Sequence, residues 1–178
     1  MTADAKPATD PEAEGGDTFS DLLEQALTTL PEDVRGLAAQ GIAAARRVHE
    51  HQQGYLGALV NMREVAAEDG KVTMMMDVTP NALNGYGYVH GGMLFTLADY
   101  AMGAACRTLV REGQSPVTLE AKANYVANVK DGRLIARSEA LHQGKHLIML
   151  ETRIYEEGSN ELIMIVTGTF YIIQEERS

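Results

Sequence analysis

The stretch Asn84–Cys106, NGYGYVHGGMLFTLADYAMGAAC, decides how the rest of the chain is read. It begins as a glycine-punctuated loop and turns at Gly91-Gly92 into a helical pattern, with Leu94, Leu97, Ala98, Ala101, Ala105 and Leu109 on one apolar stripe and Gly113 near its end. The start of a helix leaves backbone N–H groups unpaired and carries the positive end of the helix dipole. Gly91 and Gly92 have no side chain to keep a ligand oxygen away from those donors, which is how an oxyanion hole can be made. Asp99 lies two turns further on, beside Leu97, Ala98 and Ala101, where a carboxylate is costly to bury unless it is paired, hydrated or used. It shares a helix face with Gly92, Phe95 and Gly103, distinct from the Leu94/Ala101 stripe. Taken alone, the glycines are equally compatible with a tight turn, and Asp99 with a structural hydrogen bond. At 1.5 Å per residue, Gly91 and Asp99 stand about 12 Å apart along the axis, too far to meet at one carbonyl carbon. A working site therefore needs Asp99 of one protomer to face the Gly91 end of another.

Away from this helix the period changes to two. Segment 71–78 alternates Val72, Met74, Met76 and Val78 against Lys71, Thr73, Met75 and Asp77. Segment 117–125 alternates Val117, Leu119, Ala121, Ala123 and Tyr125 against Thr118, Glu120, Lys122 and Asn124, so both read as half-buried strands. Further strands are expected at 133–142, 147–156 and 161–173, separated by Gln143-Gly144-Lys145 and Glu157-Gly158-Ser159-Asn160, and another at 55–66. One helix on a mostly antiparallel sheet is an α+β arrangement. Upstream, Leu22, Leu23, Ala26, Leu27 and Leu30 recur at helical spacing, and Pro31 suits the first turn of a second helix carrying Val34, Leu37, Ile42, Ala45 and Val48, with Gly54 as its stop. Residues 1–17 are acidic, broken by proline and glycine, and lack large apolar side chains after Met1, so a disordered tail is expected there. The division expected is a tail at 1–17, a helical arm at 18–53 and a domain at 54–175.

Composition narrows the functions. The 178 residues suit one domain with a short appendage, and 45% hydrophobic residues supply a substantial core. The net charge of −10 opposes binding to a phosphate backbone, and no basic stripe overrides it. Nine of the 25 acids but one of the 15 bases lie in residues 1–34, so the body is nearly neutral. The lone Cys106 excludes an intrachain disulfide or a multi-cysteine zinc site and reads as a small buried hydrophobe. The longest wholly apolar run is Leu162–Val166, short of a membrane span, and the acidic N-terminus does not look like a signal peptide; a cytoplasmic protein is expected, with no membrane partner.

Common site motifs do not fit. The glycines from Gly85 to Gly91 miss the dinucleotide fingerprint by one residue, no Walker lysine follows, and no G-x-S-x-G elbow occurs. His49 and His51 fall on different helix faces, while His142 and His146 flank a turn, so no metal site is expected.

The residues LNGYGYVHGGMLFTLADYAMGAAC, with the later ALHQGKHL, resemble the hotdog-fold acyl-CoA thioesterases, and specifically the phenylacetate-pathway thioesterase subfamily. The resemblance in element order covers about residues 50–175. It implies a helix wrapped by a curved antiparallel sheet, paired as a homodimer with two sites at the interface and often doubled to a homotetramer. Carried onto this chain, it makes Asp99 the catalytic nucleophile or general base and Gly91 the backbone donor to the thioester oxygen. Asn84 and His90 would orient substrate or water, Gly92 would line the substrate site, and Gly144 and Lys145 would lie near the nucleotide end of coenzyme A. No cofactor is implied. Where some relatives have a hydroxyl residue one turn after the carboxylate, this chain has Gly103. A non-catalytic acyl-CoA sensor is the alternative function. Enoyl-CoA hydration lacks its aspartate-x-asparagine-proline motif here.

Overall fold

The computed structural model describes residues 17–51 and 54–175. The tail expected at 1–17 lies outside them apart from Asp17. Two compact units are separated inside a helix, at Gly41/Ile42.

The first unit holds helix α1, Phe19–Thr29, and the start of α2, Glu32–His51. Thr18 and Asp21 form a reciprocal cap: the Thr18 hydroxyl oxygen accepts from Asp21 N–H at 3.2 Å, and the Asp21 carboxylate accepts from Thr18 N–H at 2.9 Å. Leu30 is extended, as the residue before a proline prefers, and so separates the two helices. No residue of α1 is buried.

The second unit contains the end of α2, a short α3 at Tyr55–Leu59, strands β1 (Met62–Glu68) and β2 (Lys71–Asp77), helix α4 (Gly91–Arg107), and strands β3 (Gln114–Tyr125), β4 (Arg133–Gln143), β5 (Leu147–Glu156) and β6 (Leu162–Gln174). The six strands form one antiparallel sheet in the order β1-β2-β4-β5-β6-β3. This is the expected α+β arrangement, and β3 is left as a free edge.

Alternation puts Val72, Met74 and Met76 of β2, Leu134 and Ala136 of β4, and Ile148, Leu150 and Ile154 of β5 into the core. They meet Leu94, Leu97, Ala98, Ala101, Met102 and Ala105 of α4, all at most 4% exposed. Each Leu or Met buried in this way contributes about 1.5–3 kcal/mol. The alanines let the sheet approach closely, and β6 answers with Gly168, where an added Cβ would stand 3.0 Å from Met102 Sδ. Cys106 is fully buried, and burial pushes its thiol up to about 12, leaving it an inert hydrophobe. Of the Met74–Met76 run, Met74 and Met76 belong to the core and Met75 to the outer face.

Two expectations change. The strand expected over 55–66 is instead α3 followed by β1, joined through Asn61 at φ 56°. The strand over 117–125 begins earlier and contains a bulge at Leu119, so Val117 and Leu119 are exposed at 41% and 62% instead of half-buried. No helix among the described residues is long and apolar enough to cross a membrane.

Candidate active site

The loop before α4 is built on Asn84. A 3-10 turn at Pro80–Ala82 leads to an isolated bridge between Leu83 and Val89, which closes the loop between them. Asn84 N–H donates to Tyr88 O at 2.7 Å, and its side-chain oxygen accepts from Tyr86 N–H at 2.9 Å and Tyr88 N–H at 3.2 Å. Gly87 N–H returns to Asn84 O at 3.0 Å with φ 76°, the left-handed geometry that glycine reaches without penalty. The Asn84 oxygen is thus spent on the loop, while its Nδ2 has no acceptor among the described residues.

His90 caps α4. Its backbone is extended, its N–H is anchored on Ala82 O at 2.8 Å, and its Nδ1 accepts from Gly92 N–H at 2.9 Å. An accepting Nδ1 assigns the imidazole proton to Nε2, on an exposed ring. Gly92 N–H is therefore occupied, whereas Gly91 N–H has no acceptor among the described residues. The space beside Gly91 is also used: Tyr125 donates its hydroxyl to Gly91 O at 3.2 Å, and a Cβ at residue 91 would lie 3.1 Å from the Tyr125 ring. The missing side chain thus admits Tyr125 of the same chain as well as leaving the N–H open.

Asp99 is half-buried on α4 next to the free edge of the sheet, and its Oδ1 accepts from Thr118 Oγ1 of β3 at 2.8 Å. Thr118 is the residue that periodicity missed, because strict alternation puts it on the outer face.

Gly144 and Lys145 occupy the β4–β5 turn. Gly144 N–H donates to Leu147 O at 2.8 Å, and a Cβ at 144 would press on that same oxygen at 3.2 Å, so the tight turn accounts for the glycine. The turn walls a recess of about 320 Å³ with Arg111, Gln114 and His146. Arg111 follows the C-terminal end of α4, an addition that spacing did not single out.

Within one chain these groups occupy three stations along α4: Asn84, His90 and Gly91 at its start, Asp99 midway, and the Gly144/Lys145 recess past its end. At 1.5 Å per residue the helix is about 25 Å long, so one chain does not gather them at a single atom. A larger recess of about 620 Å³ lies on the outer face of the sheet between Lys71, Arg137 and Arg153, away from all three stations. Glu151 pairs with Arg153 at 2.7 Å and Arg137 lies over Tyr155, so its charge is already partly answered. Among the described residues no group of three or more His, Cys, Asp or Glu side chains converges as a metal site would require.

Comparison with known proteins supplies the family. Residues 86–163, which include the end of the loop, all of α4 and most of the strands after it, match the family model described as Thioesterase superfamily. The chain is 31% identical to the acyl-coenzyme A thioesterase PaaI of Escherichia coli over 93 residues, covering 52% of this chain and 61% of that protein. A solved variant of a thioesterase from Staphylococcus aureus is 31% identical, with a TM-score of 0.65 over 67% of this chain and 98% of the other. A Bacillus halodurans protein solved with CoA is 28% identical, with a TM-score of 0.78 over 87% of this chain and 100% of the other. The chain belongs to the hotdog-fold thioesterase superfamily and is a thioester hydrolase.

Proposed function

We propose that the chain hydrolyses acyl-CoA to free acid and coenzyme A at a site shared by two copies. Gly91 N–H receives the thioester oxygen as it becomes negative, helped by the dipole of α4 and by the free Nδ2 of Asn84. Asp99 of the partner copy either attacks the carbonyl carbon, forming an anhydride that water then hydrolyses to regenerate the carboxylate and free the acid, or takes a proton from a water that attacks directly; in both the C–S bond breaks and the departing thiolate takes up a proton to leave as the thiol. His90 turns its Nε2–H toward the bound thioester, and Gly92 lines the same end of the pocket.

The observation that carries this reading is an N–H at the start of α4 that is unclaimed among the described residues, together with a carboxylate two turns along it, beside an open edge of the sheet. β3 has β6 on one side only and exposes Val117, Leu119 and Tyr125. Pairing of two β3 edges about a two-fold axis removes an open edge and brings the Asp99 of each chain toward the other's helix start. Lys145 and Arg111, beside Gly144, suit the phosphates at the nucleotide end of CoA. Met93 and Phe95, half-buried on α4, suit an aryl or medium-chain acyl group.

Thiol release from a panel of aryl- and alkyl-CoA substrates tests the reading. Asp99→Asn is expected to lower turnover by roughly 10²- to 10⁴-fold with Tm unchanged, because asparagine keeps the shape and loses the base. Wild-type turnover in that variant removes Asp99 from the mechanism, and saturable acyl-CoA binding without thiol release from any substrate would favour a sensor.

A further inference from the structure

Gly91 is the first residue of α4, and two glycines are a loose start for a helix that has to hold a donor still, because glycine has more backbone freedom than any other residue. Left-handed backbone does not account for the glycine. Among the described residues φ is positive at Gly70, Gly87, Gly113 and Gly132, but not at Gly91. What excludes a side chain there is Tyr125, the last residue of β3, whose ring Cε1 and Cζ would lie 3.1 and 3.3 Å from an added Cβ. The ring takes the volume that a Cβ would fill, and its hydroxyl donates to Gly91 O at 3.2 Å. Among the described residues it is the only side chain of the sheet hydrogen-bonded to the first turn of α4.

The end of β3 gives Tyr125 a firm base. It stands opposite the fully buried Met164 of β6, and the next residue, Val126, donates its N–H to Ile163 O at 2.9 Å. On the other side of Gly91, the His90 carbonyl accepts from Met93 N–H at 2.8 Å and Leu94 N–H at 3.2 Å, which fixes the peptide carrying Gly91 N–H. The two peptide planes that meet at Gly91 are therefore held from different elements, one by the helix's own first turn and one by the sheet. We propose that Tyr125 is a positioning residue for thioester hydrolysis: its ring and hydroxyl clamp Gly91, so that the Gly91 N–H meets the thioester oxygen in a fixed direction. This rests on the reading of Gly91 N–H as the oxyanion donor. A donor already aimed when the charge develops costs no reorganisation at that moment. A glycine free to turn would present its N–H in the reactive geometry only part of the time.

The test measures thiol release from whichever acyl-CoA of the panel the wild type turns over fastest. Tyr125→Phe, which keeps the ring and loses the hydroxyl, is expected to lower kcat about fivefold, the scale of one neutral hydrogen bond. Tyr125→Ala, which also empties the space over Gly91, is expected to lower it about fiftyfold, short of the loss of an oxyanion donor. KM is expected to stay within about twofold in both, since the aim of the donor matters after binding. Adding Gly91→Ala to Tyr125→Ala is expected to recover about fivefold in kcat, because the new methyl enters the emptied space and narrows the backbone as the ring did. A merely structural tyrosine would let that pair of changes move Tm and leave kcat alone. Size-exclusion chromatography and Tm run alongside; if alanine at 125 disturbs either, the phenylalanine variant carries the comparison. Replacing the amide between His90 and Gly91 by an ester deletes only the Gly91 N–H and tests the underlying reading. Wild-type kcat in the Tyr125 variants, beside a dead ester variant, overturns the clamp and leaves Gly91 standing as the donor. A loss carried by KM, or no recovery in the double variant, overturns it as well. An active ester variant instead removes the reading on which the proposal rests.

Discussion

His90 holds structure with one ring nitrogen and leaves the other for the proposed substrate site. Its Nδ1 is committed to Gly92 N–H, which fixes the first turn of α4, and that commitment turns the remaining N–H outward. The two roles separate on substitution. Asparagine is among the best N-cap residues and can accept the same bond, so His90→Asn is expected to keep Tm within a few degrees. Its amide does not reproduce the reach of Nε2–H, and kcat/KM is expected to fall about tenfold, as on removing a hydrogen-bond donor from a polar site. Unchanged kinetics, measured on the best acyl-CoA, would leave His90 as a cap alone. Asn84 is divided in the same way, with its oxygen in the loop and its nitrogen free, so the contribution of each atom cannot be read from the residue type.

At the level of elements, the strand ends depend on a charged cluster and the arm on where α2 stops being an appendage. Asp77 at the end of β2 accepts from Arg133 of β4 at 2.6 Å and Arg63 of β1 at 2.8 Å, tying three strands together. The Arg133 hydrogen bond chiefly holds its carboxyl below the usual value, against an opposing effect of partial burial. A lowered folded-state value means that the stabilisation is fully present above the ordinary aspartate range and is lost as pH falls through the folded value. Urea unfolding at pH 7 and pH 3 is expected to show a smaller acid loss in Asp77→Asn than in wild type, with a cost at pH 7 of about 1 kcal/mol because the cluster is part-exposed. The arm at 18–53 is proposed as a separate element. In the latter part of α2, Ala44 is 5% exposed and Arg47 donates to Ala58 O at 2.7 Å, so these residues belong with the body. Deleting residues 1–17 is expected to leave Tm unchanged and deleting 1–50 to lower it; equal Tm values for both would detach all of α2 from the folded unit.

For the whole molecule, the proposed sharing of one site between two chains is tested by complementation. Asp99→Asn and Asn84→Ala, each inactive, are co-refolded in equal amounts. Random pairing makes about half the dimers mixed, each with one intact site, so activity is expected to return to about a quarter of wild type. Confirmed subunit exchange with no recovery excludes the shared site. Much of this architecture was legible in the chain alone: α4 from its apolar stripe, β2 from alternation, β4, β5 and β6 from the turn-rich pieces that separate them, and Asp99 as a carboxylate off the core face. These are local signals, written in the spacing of side chains along a single element. The run Tyr55–Leu59 was too short to show a helical period, and it read as strand. The bulge at Leu119 left no mark, because Val117, Leu119, Ala121 and Ala123 keep an unbroken period of two while their pairing with β6 slips by one residue. That slip is set by contacts between residues roughly 50 positions apart, and only there does Thr118 turn toward Asp99. The sequence by itself determined which elements form and which carboxylate stands apart; strand pairing decided which face of β3 meets the helix, because register is a long-range property that spacing along one strand does not carry.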